Sequence, residues 1–350
     1  MIDDTDNLNR YLGNINGTWN ISKSLNYKAT FGFDRSDGKR ETWLGNTLLG
    51  YTGSENFRGI NVPGVSGNGR GVVQNLELRS TLIEHTLNYD NKFGNHGITL
   101  LGGYSYQEFK NFGYNDIAWG TQNSNSGLLK SLNAFENRLP SSFGDSTKSE
   151  LQSYFARSIY NYNDKYILTL TFRADGSSKF GENNKYGYFP AAAVRWRISN
   201  ENFAPKKVFD DLSLRLNWGI TGNQEFPAYA SLAITQRQLD GSNSIISNAS
   251  PDLKWETQTT YGAGVDFSIL GGRVGGSLDY FNKSTKDLLF LQEYPAPSAS
   301  SRRWINLPGK VVNKGVELGL TIGAVQKNRF NWEVIYNATF LDNTVQGFGS

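Results

Sequence analysis

A side-chain period of two, sustained through long segments and repeated down the chain, sharply limits what this sequence can fold into. In YILTLTFR, Tyr166, Leu168, Leu170 and Phe172 fall on one side, and Thr169, Thr171 and Arg173 on the other. LSLRLNWGI sets Leu212, Leu214, Leu216, Trp218 and Ile220 against Ser213, Arg215 and Asn217. TYGAGVDFSI sets Tyr261, Ala263, Val265, Phe267 and Ile269 against Gly262, Gly264, Asp266 and Ser268. GVELGLTIGA and FNWEVIYNATF repeat the pattern. Successive side chains leave a strand on opposite faces, so each segment reads as a strand with one apolar and one polar face. About twelve such segments are expected, near 9–21, 25–36, 72–90, 97–112, 149–163, 165–175, 188–198, 212–220, 257–270, 272–287, 311–325 and 329–342.

Many of these exceed the roughly 5–6 residues of an ordinary globular strand. They suit tilted strands crossing about 30 Å of hydrocarbon. Their connections alternate in length. Short turns are read at 22–24, 91–96, 163–165, 271–272 and 326–328, and long polar connections near 37–71, 113–148, 221–256 and 288–310. The 199–211 connection is intermediate and reads as containing a helical turn. Short turns at one end and long loops at the other are the signature of a transmembrane barrel, and a soluble sandwich has little reason to segregate them. The 8 Trp, 18 Tyr and 21 Phe agree. Trp19, Tyr27, Tyr160, Tyr162, Trp196, Trp218, Tyr280, Trp332 and Tyr336 gather at strand ends, as interfacial girdles do. Cross-strand pairs in a sandwich core would give similar counts. No apolar stretch approaches the about 20 residues of a spanning helix. The expectation is all-β: an antiparallel transmembrane β-barrel in an outer membrane.

Enzyme chemistry finds little support. The absence of Cys removes thiolate nucleophiles and thiolate metal sites, and the two histidines, His85 and His96, are too far apart for a local ligand pair. His85 falls on the apolar side of its segment and His96 in a turn; both read as structural. The net charge of +3 argues against nucleic acid as a partner. Gly64, Gly67, Gly69 and Gly71 resemble a phosphate loop but lack its Lys-Ser/Thr end, and read as a flexible loop. Asp3, Asp4 and Asp6 lack the remaining ligands of a calcium loop and read as a solvated acidic terminus. Asp175, Gly176, Ser177 and Ser178 read as a tight turn after a strand. Pro227, Pro295 and Pro297 restrict two loops. No cofactor or metal is expected.

One constellation stands out. By parity, Arg157, Arg173, Arg195 and Arg215 share the polar, lumen-facing side of four successive strands, with Arg197 on the face of Arg195. The following strands carry Asp266, Asp279, Glu317 and Glu333 on that face. A basic sector beside an acidic one either pairs across strands or meets an anionic surface or ligand inside the lumen. In the long loops, Trp43, Tyr51, Trp119, Tyr229 and Trp304 are candidates for stacking on sugar rings, or equally for loop packing.

Several segments are recognisable. FRADGSSKFGENNKYGYFPAAAVRWRISNENF (172–203) resembles the signature of SusC/RagA-type TonB-dependent outer-membrane transporters. WGITGNQ (218–224), SPDLKWETQTTYGAGVDF (250–267), DYFNKSTKDLL (279–289) and GKVVNKGVELGL (309–320) follow in the order of that family. The resemblance implies a 22-stranded barrel with an N-terminal plug, importing glycans or peptides with a SusD-like surface lipoprotein and powered by TonB. Relative to that pattern the sequence lacks a signal peptide, TonB box, plug and terminal strands, so residues 1–350 read as one partial barrel domain, an antiparallel wall of about half the barrel. Such a piece, with open edges, is not expected to insert alone as a working transporter. Two other readings stay open on residues alone: a passive porin-like or adhesin-like barrel, and a secreted sugar-binding β-sandwich.

Overall fold

A computed structural model describes residues 2–45, 55–57, 60–62, 69–120, 130–135, 137–139, 144–205, 207–237, 243–294, 302–327 and 329–347. The strands are β1 (Ile2–Asn20), β2 (Leu25–Leu44), β3 (Glu55–Phe57), β4 (Ile60–Val62), β5 (Arg70–Phe93), β6 (His96–Trp119), β7 (Asn137–Leu139), β8 (Gly144–Tyr162) and β9 (Tyr166–Ser177). They continue as β10 (Tyr186–Arg197), β11 (Phe209–Asn223), β12 (Ile234–Arg237), β13 (Asn243–Ser247), β14 (Glu256–Ile269), β15 (Val274–Glu293), β16 (Arg302–Lys327) and β17 (Phe330–Gln346). Twelve of them follow one hydrogen-bonded path, β1-β2-β5-β6-β8-β9-β10-β11-β14-β15-β16-β17, with β7 joined to β6. β3–β4 and β12–β13 are separate small hairpins. Each of the twelve expected segments corresponds to one strand of the path, in the expected order.

Several boundaries differ. β2 runs on to Leu44, β6 to Trp119, and β16 begins at Arg302, inside segments read as loop. Alternation fades beyond the hydrocarbon because both faces there are polar, while the backbone ladder continues without it. Asp175, Gly176 and Ser177 lie within β9, paired with Gly187, Tyr186 and, toward β8, Leu151; the turn begins only at Ser178. Asp3 and Asp4 do not form a free tail, although Asp4 stays exposed. They lie in β1, Asp4 accepting from Arg40 Nε at 3.0 Å and Asp3 bridging Lys130 at 2.7 Å. Of the Gly-rich segment, Gly64 and Gly67 fall outside the described residues. Gly71 lies in β5 under Trp43 and Phe135. Pro295 and Pro297 also fall outside. The intermediate connection carries the expected turn as a 3-10 turn, Ile198–Asn200.

The chain forms two compact units. The first comprises Met1–Ile15, Thr30–Ile83 and Gln107–Glu150, the second Asn16–Ala29, Glu84–Tyr106 and Leu151–Ser350. In the first, Trp43 is buried and stacked on Phe135 with ring centroids 6.4 Å apart, while Val72 and Ile117 are buried together with Trp119 against them. In the second, residues from Leu151 on form an antiparallel ladder from β8 to β17, with register shifts at Phe209/Asp211, Lys286/Leu288 and Gly323/Val325. The β8–β9 corner shows why the sequence turns there. Asn163 and Asp164 both adopt positive φ (52° and 54°), the conformation of a type I′ hairpin turn, which Asn and Asp tolerate. Asn161 braces it by accepting from the Asp164 N–H at 3.0 Å.

The two faces of this ladder differ in character. One exposes Leu170, Phe172, Val194, Leu216, Tyr261, Leu278, Tyr280, Val316, Ile322 and Phe340. So large an uncovered apolar face is not stable against water, and it matches the lipid-facing side of a transmembrane barrel. The buried hydrophobic core of this unit lies elsewhere, among the connections.

Candidate functional site

On the polar face, Arg195, Arg215, Gly264, Asp279 and Glu317 lie directly opposite one another across β10, β11, β14, β15 and β16. Arg215 donates from Nε and Nη2 to the two carboxylate oxygens of Asp266 at 2.7 and 2.8 Å, and from Nη2 to Asp279 Oδ1 at 2.8 Å. The second bond spans an intervening strand, and Gly264 is what allows it. A Cβ at Gly264 would collide with Asp279 Oδ1 and lie 3.0 Å from Arg215 Nη2. Arg195 shares the cluster more loosely, 3.5 Å from Asp266 and 3.8 Å from Asp211, and donates to Ser213 Oγ at 3.3 Å. Arg195, Arg215, Asn217, Asp279, Lys283 and Glu317 border a recess of about 680 Å³.

The basic and acidic sectors therefore meet at the β11–β14 boundary and neutralise each other there. The remaining members of the constellation stand apart from this cluster. Arg173 pairs within its own strand with Asp175 at 2.7 Å and donates to Ser153 Oγ at 2.9 Å. Arg157 is exposed opposite Thr171, and Glu333 is exposed opposite Gly323. Arg197 lies opposite Ser213, with its Nε buried and without a hydrogen-bond partner. Gly264 was invisible to charge-pattern reading, because the signal that exposes it is the register of three neighbouring strands.

At the opposite end from the short turns, a second assembly forms. Phe180, Phe189, Phe226, Ala230, Leu253 and Trp255 make a buried cluster with Leu151, Ile220, Leu289 and Trp304 packed against it. Ring centroids lie 4.5 Å apart for Phe180–Trp255, 5.0 Å for Phe180–Phe226, 5.3 Å for Phe189–Trp255 and 5.7 Å for Phe226–Trp304. The backbone is cross-braced: Gly181 N–H donates to Leu253 O at 3.0 Å, Trp255 Nε1 to Lys185 O at 3.1 Å, and Ser250 Oγ to Trp304 O at 2.6 Å. A Cβ at Gly181 would collide with the Pro251 carbonyl, so the close approach of the two connections requires glycine there. Lys179 donates to Phe226 O at 2.9 Å, and burial holds its ammonium below the usual lysine range, offset in part by Glu225. The segments DGSSKFG, FP, NQEFP and SPDLKWE, scattered over 175–256, thus converge on one core.

The stacking candidates are placed by these assemblies. Trp43 is buried under the first unit's connections, and Trp304 lies half-buried against the aromatic cluster. Trp119 packs on Val72 and Ile117. Tyr229 is exposed with φ of 64°, and Tyr51 lies outside the described residues.

At the short-turn end, Glu201 accepts from Lys165 Nζ at 2.8 Å, Tyr166 Oη at 2.6 Å and Trp196 Nε1 at 3.2 Å. These bonds, Lys165 foremost, draw its carboxyl down to about 2. Phe203 packs edge-on to Trp196, and a run of rings continues through Tyr166 and Tyr162 to His96. His96 Nδ1 also lies 2.7 Å from Tyr160 Oη, and His85 Nδ1 lies 2.6 Å from Tyr27 Oη. Both histidines thus have aromatic hydroxyl partners. Among the described residues no group of three His, Cys, Asp or Glu could hold a metal ion.

The TonB dependent receptor-like, beta-barrel family model matches residues 2–350. TonB-dependent receptor P3 of Formosa agariphila is 30% identical over 93% of this chain and 32% of its own length. TonB-dependent receptor SusC of Bacteroides thetaiotaomicron is 28% identical over 98% of this chain and 33% of its own length. This chain thus spans about a third of the curated relatives it matches. Among solved structures, the RagAB peptide importer in its closed-closed state superposes with a TM-score of 0.80 at 22% identity, over 99% of this chain and 38% of that one. A polar face carrying charge, an exposed apolar face, and strands of barrel length and order are features of this fold. The chain belongs to the TonB-dependent receptor-like β-barrel family.

Proposed function

We propose that this chain is part of the lumen wall of a SusC/RagA-type outer-membrane importer of large nutrients, oligosaccharides or peptides. It would work with its own plug, a SusD-like surface lipoprotein and TonB. The observation that carries this reading is the division of labour between the two faces. The apolar face meets lipid, and the polar face carries the Arg195–Arg215–Asp266–Asp279–Glu317 array, whose charge is locally balanced but not exhausted. Glu317, exposed beside Asp279, and the loosely held Arg195 leave acceptor and donor capacity for a plug surface or passing cargo. The aromatic core of the connections gives the rim a fixed shape, which a lid protein requires. The similarity to SusC and to the RagAB peptide importer supports import. The wall itself contributes no chemical step; capture, plug movement and release are conformational.

The test uses the full-length gene in its own cells. Uptake of fluorescent oligosaccharides and peptides is measured with and without collapse of the proton gradient, and with the neighbouring lipoprotein gene deleted. Import that stops on collapse and falls strongly without the lipoprotein is the expected outcome. Uptake indifferent to both treatments would identify a passive, porin-like barrel.

A further inference from the structure

On the apolar face, one cross-strand row places Thr257, Lys286, Lys310 and Gln346 directly opposite one another across β14 to β17. The two lysines are immediate neighbours. Directly opposed Cβ atoms lie about 4.5–5.5 Å apart, and like charges there repel. Among the described residues neither lysine has an ion-pair partner. The nearby acids are engaged: Asp287 with Lys254 at 2.9 Å, Asp342 with Lys314 at 3.2 Å, and Glu256 with Asn223 Nδ2 and the Leu289 N–H, both at 3.1 Å.

The level of the two lysines on the sheet says what they meet. Val274 opposes Ile322 near the short-turn end, and twelve residues along both strands lead from there to Lys286 and Lys310. At about 3.3 Å per residue that is about 40 Å of strand. A tilt of roughly 40° reduces it to about 30 Å of height, slightly more than the apolar band of an outer-membrane barrel. Leu278, Tyr280, Val316 and Ile322 expose apolar surface along that span. The lysines therefore stand at the headgroup layer on the long-connection side, which is the external leaflet in barrels of this kind. Their long stems can lie along the apolar surface while the ammonium groups reach the polar layer.

We propose that Lys286 and Lys310 form a binding site for a phosphate group of an outer-leaflet lipid headgroup. The site rests on which face meets lipid and not on what the protein imports, so the two readings fail separately. The test uses the full-length protein purified in neutral detergent and the bis-phosphorylated glycolipid lipid A as probe. Lipid A retained per protein is measured by mass spectrometry, and the unfolding temperature is followed as lipid A is titrated in. Wild type is expected to retain about tenfold more lipid A than Lys286→Gln/Lys310→Gln, to unfold at higher temperature as lipid is added, and to gain nothing from a phosphate-free glycolipid. Lys286→Arg/Lys310→Arg should keep the effect. Lys92→Gln, at the opposite interface, should behave as wild type. Equal retention by the glutamine variant would overturn the proposal. So would an equal stabilisation by inorganic phosphate alone, which would mark a site for soluble anions. If the glutamine variant fails to fold, loss of retention in the arginine variant would refute it.

Discussion

A single missing side chain organises the polar face. Gly264 leaves room for Arg215 to reach past its own neighbour to Asp279, making one guanidinium bridge two carboxylates on successive strands. Gly264→Ala is expected to destabilise the protein by about 1–3 kcal/mol, the usual cost of overpacking. Arg215→Ala should cost less, about 0.2–1 kcal/mol, because the pairs are part-exposed and solvent screens them. Urea midpoints of the two variants in detergent decide the order; a Gly264→Ala midpoint equal to wild type would mean the bridge is dispensable. Glu201 makes a different prediction. Its carboxyl is held at about 2 against an ordinary 4.5, so the stability it contributes is complete above about 4.5 and is lost as pH falls toward 2. Between pH 5 and 2.5 the wild-type unfolding midpoint should fall more steeply than that of Glu201→Gln. Parallel slopes would show that Lys165 and Tyr166 do not hold the charge.

Strands and connections differ in how they are written into the sequence. Each strand announces itself locally, because alternation needs only a lipid side and a polar side. The connections do not. Phe180, Phe226, Trp255 and Trp304 look like scattered loop aromatics in sequence and prove to be one core closed by Gly181. Deleting a buried ring leaves a cavity, and Phe180→Ala is expected to cost about 3–5 kcal/mol. If the cluster fixes the rim as a unit, limited proteolysis of Phe180→Ala should cut in both the 178–185 and 224–255 connections. Cleavage confined to one of them would show that the two connections fold independently. Of the turn expected at Asp175–Ser178 only Ser178 lies in one, for a related reason: DGS is good turn material, yet here it is held extended by partners on both sides, Ser153 and Leu151 on β8, Gly187 and Tyr186 on β10.

At the scale of the molecule, the apolar face is the strongest constraint. Leu216 lies in its midst, half exposed, next to polar-facing Asn217. Leu216→Arg should cost about 2–4 kcal/mol if the face meets hydrocarbon near its midplane. The amount of full-length protein in outer-membrane fractions should drop accordingly, and an unchanged yield would argue against lipid contact there. Twelve strands, their order, the faces they present and the family were legible from periodicity and ordered motifs, since each depends on neighbours in the chain or on a solvent that acts on every residue alike. Tertiary structure alone decided which charges meet, why a glycine stands between them, and that distant loops share one core. Those depend on register, which brings together residues such as Arg215 and Asp279 or Phe180 and Trp255 that are far apart in the chain. No local pattern encodes that distance.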